Sequence, residues 1–304
     1  MQESASGFHK AILYAGAGLT DLYPATSAVP KCLLPIYDKP LIYYSLSILM
    51  LSGIRRVAVV TRPGDQIAFR RLLGDGHEFG VRIEYLAEAT PHGPAQSLLA
   101  ARDFIGRDNV AVILGDSLIY GDGLQRLLSE TTQRVDGATA FAHPVNSPRQ
   151  HAIVELADDG TPKSIEERPE HPKSNLAITG IFFYDHQVVD IAAAVFAAKG
   201  RDFSLTDVNR QYLENGSLRV RPFGRGFVWL DTSTHASLTA AANFIETIES
   251  THGLKIACLE EIAYRKGFVS ADAIFKAAAR MNNAYGQYLE KIARSGPELQ
   301  PLSS

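Results

Sequence analysis

The chain has 304 residues, 46% of them apolar, and a formal net charge of −3. This length and composition predict one large α/β domain, or a core with a smaller appendage, that buries a full hydrophobic core. Because charges of both signs are interspersed, we expect neither a nucleic-acid nor a membrane partner. Residues 1–10 lack the apolar stretch of a signal peptide, and two cysteines are too few for a disulfide framework. We therefore expect a reduced, soluble, cytoplasmic protein.

The first motif covers residues 11–40, AILYAGAGLTDLYPATSAVPKCLLPIYDKP. A short buried strand at 11–14 runs into a turn of small residues at 15–20. At the end of a parallel strand, such a turn exposes backbone N–H groups that converge on an anion, and Lys31 adds a positive charge. An ordinary strand-to-helix connection is the alternative. Cys32 is either a thiol with a lowered pKa or, more in keeping with free cysteines, a buried unreactive one.

Strand and helix patterns alternate over the next part of the chain. The predicted helices are 41–52, 65–73 and 95–104, and the predicted strands are 56–62, 81–86 and 110–114. This alternation predicts an α/β fold with a doubly wound, mostly parallel, Rossmann-like sheet. Ligands then bind beyond the carboxyl ends of the strands.

The pattern changes at residue 138. Short strands at 139–143, 153–156 and 180–184 predict a mixed region laid over the sheet, where a second substrate would bind. A helix at 204–213, strands at 218–223 and 227–231, and a helical pattern from 237 follow. We expect a flexible N-terminus at 1–10, a core at 11–236, a helical appendage at 237–296 and a frayed tail at 297–304.

Two aspartates end apolar strands, Asp116 in VILGDS and Asp231 in VWLDTSTH. Carboxylates at two strand ends that face one cleft can hold a Mg²⁺ ion that bridges phosphates. Capping or turn aspartates are the alternative.

The motif at 11–40 resembles the signature of the sugar-1-phosphate nucleotidyltransferases, and most closely that of the glucose-1-phosphate thymidylyltransferases. That signature reads Leu-Ala-Gly-Gly-x-Gly-Thr-Arg-Leu-x-Pro, then Lys before Leu-Leu-Pro, then Lys-Pro. The chain keeps Ala15, Gly16, Thr20, Leu22, Pro24, Lys31, Leu33, Leu34, Pro35, Lys39 and Pro40. The resemblance continues through GPAQ at 93–96, EERP at 166–169, TDVNR at 206–210 and the tail segment at 253–268.

The resemblance implies an activity and a set of site residues. In this family, glucose 1-phosphate and dTTP react to give dTDP-glucose and pyrophosphate. The implied nucleotide-binding part is 11–137 and the implied sugar-side part is 138–236. The implied catalytic residues are Lys31 and Arg168; the nucleotide-binding residues are Gly16, Glu88, Gly93 and Asp116; the sugar-side residues are Glu167, Asn175 and Gly180; the Mg²⁺ ligands are Asp116 and Asp231.

The tail resembles the family's second nucleotide site, which lies at a subunit contact and serves feedback control. The implied effector-site residues are Tyr120, Gly121, Glu261, Ile262 and Arg265. A homo-oligomer, a tetramer by resemblance, goes with that site. The alternative for the tail residues is an amphipathic helix with a surface ion pair.

Several positions depart from the family pattern. Asp21 replaces the signature arginine, Ala17 and Leu19 replace glycines, and Glu88 replaces the glutamine that reads the pyrimidine edge. Two like charges ~4 Å apart repel by about 4 kcal/mol at an effective dielectric constant of 20. These changes predict weak binding of a triphosphate at the turn.

Three hypotheses follow. In the first, the protein has lost the standard reaction and is a nucleotide- or nucleotide-sugar-binding regulatory homologue, assembled with itself or with an active paralogue. In the second, it is an active nucleotidyltransferase with altered base or sugar-phosphate specificity. In the third, it is an ordinary dTDP-glucose-forming enzyme. The charge reversal at Asp21 favours the first, whereas the retained Lys31, Asp116, Arg168 and Asp231 support the second.

Overall fold

The structure, a computed structural model, describes residues 7–16, 21–88 and 93–297. The strands are β1 (Lys10–Tyr14), β2 (Pro35–Ile36), β3 (Lys39–Pro40), β4 (Arg56–Thr61), β5 (Arg82–Ala87), β6 (Val110–Leu114), β7 (Leu118–Gly121), β8 (Ala138–Pro144), β9 (Ala152–Leu156), β10 (Pro162–Glu167), β11 (Leu176–Tyr184), β12 (Leu218–Pro222) and β13 (Phe227–Leu230).

Helices lie between and after these strands. They are α1 (Leu41–Leu51), α2 (Gln66–Leu73), α3 (Gln96–Ala100), α4 (Arg102–Ile105), α5 (Leu124–Thr132), α6 (Val188–Lys199), α7 (Leu205–Glu214), α8 (His235–His252), α9 (Leu259–Arg265), α10 (Ala271–Ala278) and α11 (Ala284–Ser295). None of the described helices is long and apolar enough to cross a membrane.

A mixed sheet forms the centre of the molecule, with strand order β10, β9, β11, β6, β1, β4 and β5. β1 lies between β4 and β6 and is parallel to both, and β5 is parallel to β4. The carboxyl ends of these four strands therefore share one edge. The predicted fold class, a doubly wound and mostly parallel sheet, is confirmed. Ligands bind at this edge in parallel sheets, and the location of the site there stays a prediction.

Strands β8 to β12 of the region 138–236 extend the sheet, so the expectation that this region lies over it is wrong. β11 is antiparallel to β6 along its second half and pairs with β8, which in turn pairs with β12. β9 pairs with both β11 and β10. This region is thus joined to the parallel strands through backbone hydrogen bonds.

Hydrophobic cores fill both faces of the sheet because successive side chains of a strand point to opposite sides. In β1, Leu13 faces a core that includes α1, α2, α5 and α9. Its neighbour Ile12 faces a second core that includes α3, α4, α6 and α7. The result is a layer of helices on each face of the sheet.

Several boundaries differ from those predicted from the sequence. The helix expected at 95–104 breaks at Ala101 into α3 and α4. Of the predicted flexible N-terminus at 1–10, only residues 7–10 are described, and Phe8 there is buried and packs edge-on against Phe183, with ring centroids 5.1 Å apart. Of the predicted frayed tail, only Pro297 is described, and its carbonyl accepts a hydrogen bond from Arg265 at 3.3 Å.

Candidate active site

An ion pair joins the two signature segments at the carboxyl edge of the sheet. Lys31 lies in a single 3-10 turn, Lys31–Leu33, and Asp116 lies two residues beyond β6. The Lys31 Nζ atom is 2.5 Å from Asp116 Oδ2, and the two side chains are 9% and 32% exposed. Because the Lys31 side chain is nearly buried, its ion pair with Asp116 keeps the Asp116 carboxylate at a defined place that faces the cleft. Two residues that the sequence implied separately are therefore in direct contact.

Asp231 reaches the same place through a two-stranded ribbon. β13 is antiparallel to β7, with Leu230 opposite Leu118. Continuing this register by two residues brings Thr232 opposite Asp116, and the Thr232 hydroxyl donates to the Asp116 carbonyl at 3.3 Å. Asp231 itself accepts hydrogen bonds from the Ser233 amide at 2.9 Å and the Ser233 hydroxyl at 2.8 Å. The chain segments that carry the two predicted strand-end carboxylates are thus neighbours in the structure.

The oxygen donors fit a Mg²⁺ ion held jointly by protein and substrate. Mg²⁺ usually binds one or two carboxylates together with substrate phosphates and water. Asp116 and Asp231 supply two carboxylates on adjacent strand ends. Within residues 7–16, 21–88 and 93–297, no three acidic, histidine or cysteine side chains are grouped so as to hold a metal. The donor set therefore suits a shared ion and does not suit a closed protein cage.

Asp21 begins the turn that follows the small-residue segment. Its side chain is exposed to solvent, whereas the next residue, Leu22, is fully buried. The Tyr23 carbonyl lies 3.4 Å from the His235 ring at the start of α8, which links this turn to the Asp231 segment. Ala17 and Leu19, the other two departures from the signature, lie outside the described residues.

Cys32 is a buried thiol with no sign of reactivity. It is 3% exposed, and burial is the largest cause that raises its pKa above the ordinary value. The adjacent Lys31 lowers this pKa, but burial and the charge of Asp116 act in the opposite direction. The alternative of a lowered thiol pKa is wrong.

Gly180 allows β11 to pass close to the end of β6. Its φ is +78°, and an added Cβ would lie 2.8 Å from Leu114 Cδ1 and 3.2 Å from the Ser117 hydroxyl oxygen. Ser117 also donates to the Thr179 carbonyl at 3.2 Å. A side chain at 180 would displace the residues that flank Asp116.

Glu167 is the last residue of β10, and Arg168 follows it. The Thr206 hydroxyl of α7 donates to Glu167 Oε2, which fixes this carboxylate. The Arg168 side chain is 74% exposed, and its Nε lies 4.0 Å from Glu167 Oε1. Its guanidinium is therefore free to turn toward a phosphate. Asn175 is exposed, and its carbonyl accepts from the Val145 amide at 2.9 Å.

His151 and Trp229 lie next to these residues, although the sequence analysis assigns no role to either. The two rings are 5.3 Å apart, and the His151 carbonyl accepts from the Arg168 amide at 3.0 Å. Burial lowers the pKa of His151, and the charge of Asp231 partly opposes this effect. His151 lacks metal-ligand spacing, and its place beside Asp231 arises only when β9 and β13 meet in the fold.

The implied nucleotide-binding residues lie at the ends of β1 and β5. Gly16 follows β1, and an added Cβ there would be 3.0 Å from the Tyr14 ring. Glu88 follows β5 and is 4% exposed. Gly93 has a φ of +98° with open space around it, and residues 89–92 between the two are outside the described part of the chain.

The implied effector-site residues form two separate groups. Glu261 accepts hydrogen bonds from Arg265 Nε at 2.7 Å and from the Tyr288 hydroxyl at 2.5 Å. Tyr120 instead packs against Phe244 at 5.8 Å. The Glu261 and Arg265 side chains are 10% and 18% exposed, so the ion pair is not a surface one.

Ile262 packs against the core that contains α1, and Gly121 approaches Phe227 so closely that a Cβ would lie 2.4 Å away. Within the described part of the chain, no hydrogen bond, ion pair or ring contact connects Tyr120 or Gly121 to Glu261 or Arg265.

Comparison with known proteins shows which family the chain resembles. The family described as nucleotidyl transferase matches residues 10–248. A glucose-1-phosphate thymidylyltransferase of Neisseria meningitidis is 46% identical over 286 residues, which cover 94% of this chain and 99% of that protein. The Mycobacterium tuberculosis glucose-1-phosphate thymidylyltransferase is 42% identical and covers 93% of this chain, with 98% of its own length matched.

Solved structures give the same fold. A Bacillus anthracis protein assigned to the glucose-1-phosphate thymidylyltransferases, crystallised with sucrose, superposes with a TM-score of 0.71 at 33% identity and covers 77% of this chain and 94% of its own. A UDP-glucose pyrophosphorylase superposes with a TM-score of 0.68 at 21% identity, covers 79% of this chain and 99% of its own, and supports the fold alone. With the strand-end carboxylates, the ion pair and this similarity together, the chain belongs to the nucleotidyl transferase family.

Proposed function

We propose that the protein is an active nucleotidyltransferase that joins a nucleoside triphosphate to a sugar 1-phosphate, with a base or sugar preference that differs from dTTP and glucose 1-phosphate. The observation that carries this proposal is the Lys31–Asp116 ion pair with Asp231 beside it at the strand ends. Relatives similar over more than nine-tenths of this chain bear the name glucose-1-phosphate thymidylyltransferase. This similarity supports the hypothesis of an active enzyme at least as well as it supports the hypothesis of a regulatory homologue.

The reaction needs positioning and charge neutralisation more than covalent help from the protein. An oxygen of the sugar phosphate attacks the α-phosphorus of the nucleotide, and the bond from that phosphorus to the pyrophosphate oxygen breaks. Lys31 is nearly buried at the strand ends, where its charge can stabilise the phosphate oxygens. Arg168 is exposed, and its positive charge would stabilise the phosphate of the incoming sugar. Glu167, fixed by Thr206, offers acceptors for sugar hydroxyls.

Mg²⁺ would be held by Asp116 and Asp231. When bound, it would neutralise charge on the nucleotide phosphates.

Exposure of Asp21 supports activity over loss of activity. The repulsion of about 4 kcal/mol at ~4 Å applies to a partly desolvated pair. Asp21 is exposed, so solvent and counter-ions screen its charge. Regulation remains a second candidate because Asp21 supplies repulsion where the family pattern has an arginine.

The remaining features of the protein are proposed by resemblance. These are a homo-oligomer, a second nucleotide site that includes Tyr120, Gly121, Glu261, Ile262 and Arg265, and a cytoplasmic location. The division at 137/138 and the helical appendage from 237 are proposed on the same basis.

Pyrophosphate release tests the proposed function. The purified protein is supplied with Mg²⁺, each of a panel of hexose 1-phosphates that includes glucose 1-phosphate, and each of dTTP, UTP, CTP, ATP and GTP, and the nucleotide sugar is identified by mass spectrometry. With at least one nucleotide we expect turnover on the order of 1–10³ s⁻¹. The variant Asp116→Asn should lose about 100-fold or more of this rate, since one charge-stabilising group is removed.

The matched control is Asp136→Asn. Asp136 is 83% exposed and pairs loosely with Arg219 at 3.8 Å, away from the strand ends. The rate of pyrophosphate release by Asp136→Asn should equal that of the unaltered protein. Absence of pyrophosphate release with all of the nucleotides from a folded protein would contradict the proposed activity.

A further inference from the structure

Asp116 lies in a tight turn between β6 and β7. The turn spans residues 114–117 and is closed by a hydrogen bond from the Ser117 amide to the Leu114 carbonyl at 3.0 Å. From this turn the Asp116 carboxylate reaches Lys31. The backbone of the turn therefore sets the place of the carboxylate, so the contacts that hold this backbone matter for the site.

A hydroxyl of helix α1 holds both ends of the turn. Ser45 is fully buried, and its hydroxyl oxygen is 3.0 Å from the Leu114 carbonyl oxygen and 3.1 Å from the Ser117 carbonyl oxygen. A hydroxyl has a single hydrogen, so Ser45 shares it between two acceptors that flank Asp116. Because its exposed fraction is zero, Ser45 is out of reach of a substrate. It therefore acts on Asp116 through the backbone of the turn.

The direction of this hydroxyl differs from that of its neighbour in the same helix. A serine within a helix commonly bonds a carbonyl of the preceding helical turn. Ser47 does so, because its hydroxyl donates to the Tyr44 carbonyl at 2.7 Å, and it too is buried. Ser45 instead reaches out of α1 to carbonyls 69 and 72 positions further along the chain. The two serines thus make the same kind of bond in two different places.

Loss of the Ser45 hydroxyl would remove a donor from two carbonyls of the turn. A buried carbonyl that loses a donor is costly, so the backbone would shift toward another donor. Such a shift moves Asp116 relative to Lys31 and to the Asp231 segment. A misplacement of about 1 Å can lower the rate of an enzyme about 100-fold.

We propose that Ser45 is a positioning residue for the transfer reaction, and that it holds the 114–117 turn so that the Asp116 carboxylate is in place to bind the divalent cation. This inference rests on the proposed function, because that function gives Asp116 its role. It extends the site to a buried residue of α1 that touches neither substrate nor metal.

Steady-state kinetics of pyrophosphate release compare Ser45→Ala with Ser47→Ala, using the nucleoside triphosphate and the sugar 1-phosphate that the unaltered protein accepts. In Ser45→Ala we expect kcat to fall about tenfold or more, while KM for the sugar phosphate changes less than about twofold. Ser47→Ala is the matched control, since it removes a buried hydroxyl and its carbonyl bond from the same helix. Its kcat should equal that of the unaltered protein.

Cation binding gives a second measurement, which does not depend on turnover. Trp229 is the single tryptophan of the chain, and it lies two residues before Asp231. Mn²⁺ in place of Mg²⁺ quenches the fluorescence of a nearby tryptophan, so a Mn²⁺ titration in the presence of the same nucleotide follows the occupancy of the cation site. The half-saturating Mn²⁺ concentration should rise about tenfold in Ser45→Ala and should not change in Ser47→Ala.

An unchanged kcat or an unchanged Mn²⁺ titration in Ser45→Ala would overturn the inference and leave the proposed function standing. Equal losses in Ser45→Ala and Ser47→Ala would also overturn it, because the loss of either buried hydroxyl would then be enough. If Ser45→Ala does not fold, the same measurements on Ser45→Cys decide, since a thiol is a weaker donor than a hydroxyl. Absence of both turnover and Mn²⁺ quenching in the unaltered protein would overturn the proposed function, and the inference with it.

Discussion

Gly180 determines the geometry around Asp116 at the scale of a single residue. Its positive φ and its close approach to Leu114 and Ser117 both exclude a side chain. A left-handed conformation costs a non-glycine residue about 1–2 kcal/mol, and the steric contact adds to this cost.

We expect Gly180→Ala to lower the free energy of unfolding by about 2–4 kcal/mol and to reduce transfer activity, because Leu114 must move. Gly160→Ala is the control, since Gly160 also has a positive φ, +84°, but has nothing within 4 Å of an added Cβ. Gly160→Ala should lower the free energy of unfolding only by the cost of the left-handed conformation, about 1–2 kcal/mol. Urea unfolding measures both values, and equal costs for the two variants would contradict the steric role of Gly180.

Sequence patterns predicted individual site residues better than their partners. Asp116 and Asp231 follow apolar strands, so their position at strand ends could be predicted. The Lys31–Asp116 contact joins residues 85 positions apart, and only the parallel pairing of β1 with β6 brings them together. The contacts of His151 and Tyr14 could not be predicted either, because their neighbours Asp231 and Glu88 are distant in sequence.

At the scale of elements, a buried charge cluster connects the β2–β3 segment to the C-terminal helices. Lys39 Nζ is 2.9 Å from Glu249 Oε1 of α8, and these side chains are 2% and 5% exposed. Lys255 pairs with the same carboxylate at 3.1 Å, and both lysines also pair with Asp38. The Lys255 backbone amide donates a hydrogen bond to the Tyr288 hydroxyl at 3.1 Å, which extends the cluster to α11.

This cluster predicts that Glu249→Gln is strongly destabilising. Removing one partner of a buried pair costs about 3–5 kcal/mol, and Asp38, which still neutralises Lys39, should keep the loss near the lower value, about 3 kcal/mol. Glu78→Gln is the control, because Glu78 pairs with Arg280 at 2.6 Å where both side chains are about 60% exposed. Such a surface pair contributes about 0–1 kcal/mol. Equal losses of unfolding free energy in the two variants, measured by urea unfolding, would show that the buried cluster contributes no more than a surface ion pair.

Helix and strand types were predictable where the apolar period was clear. α1 and β4 occur where the sequence predicts them, and Gly53 follows α1 with a φ of +85°. α6 was not predicted, because its alanine-rich sequence has little contrast between faces. The ribbon of β7 and β13 could not be predicted either, since its pairing joins segments more than a hundred residues apart.

At the scale of the whole molecule, the C-terminal helices are part of the folded core. Ala241 and Ile245 of α8 pack with Leu118 of β7 and Tyr44 of α1. Tyr120 and Glu261 belong to separate groups within one chain, which is the arrangement that the proposed second site at a subunit contact requires.

We therefore expect an oligomer at micromolar concentration, with four chains by resemblance to the family. Multi-angle light scattering should give a mass close to four times the 33.1 kDa of one chain. A mass of a single chain across the micromolar range would contradict both the oligomer and the shared second site.

The transfer chemistry assigned to Lys31, Asp116 and Asp231 is tested most directly by running the reaction in reverse. Labelled pyrophosphate is incubated with Mg²⁺, the protein and each of a panel of nucleoside diphosphate sugars that varies both the base and the hexose, and the label that enters the nucleoside triphosphate is counted. We expect incorporation with at least one base, and a rate about 100-fold or more lower in Lys31→Met and in Asp116→Asn. No incorporation with any base, or incorporation at an unchanged rate in both folded variants, would contradict the assignment.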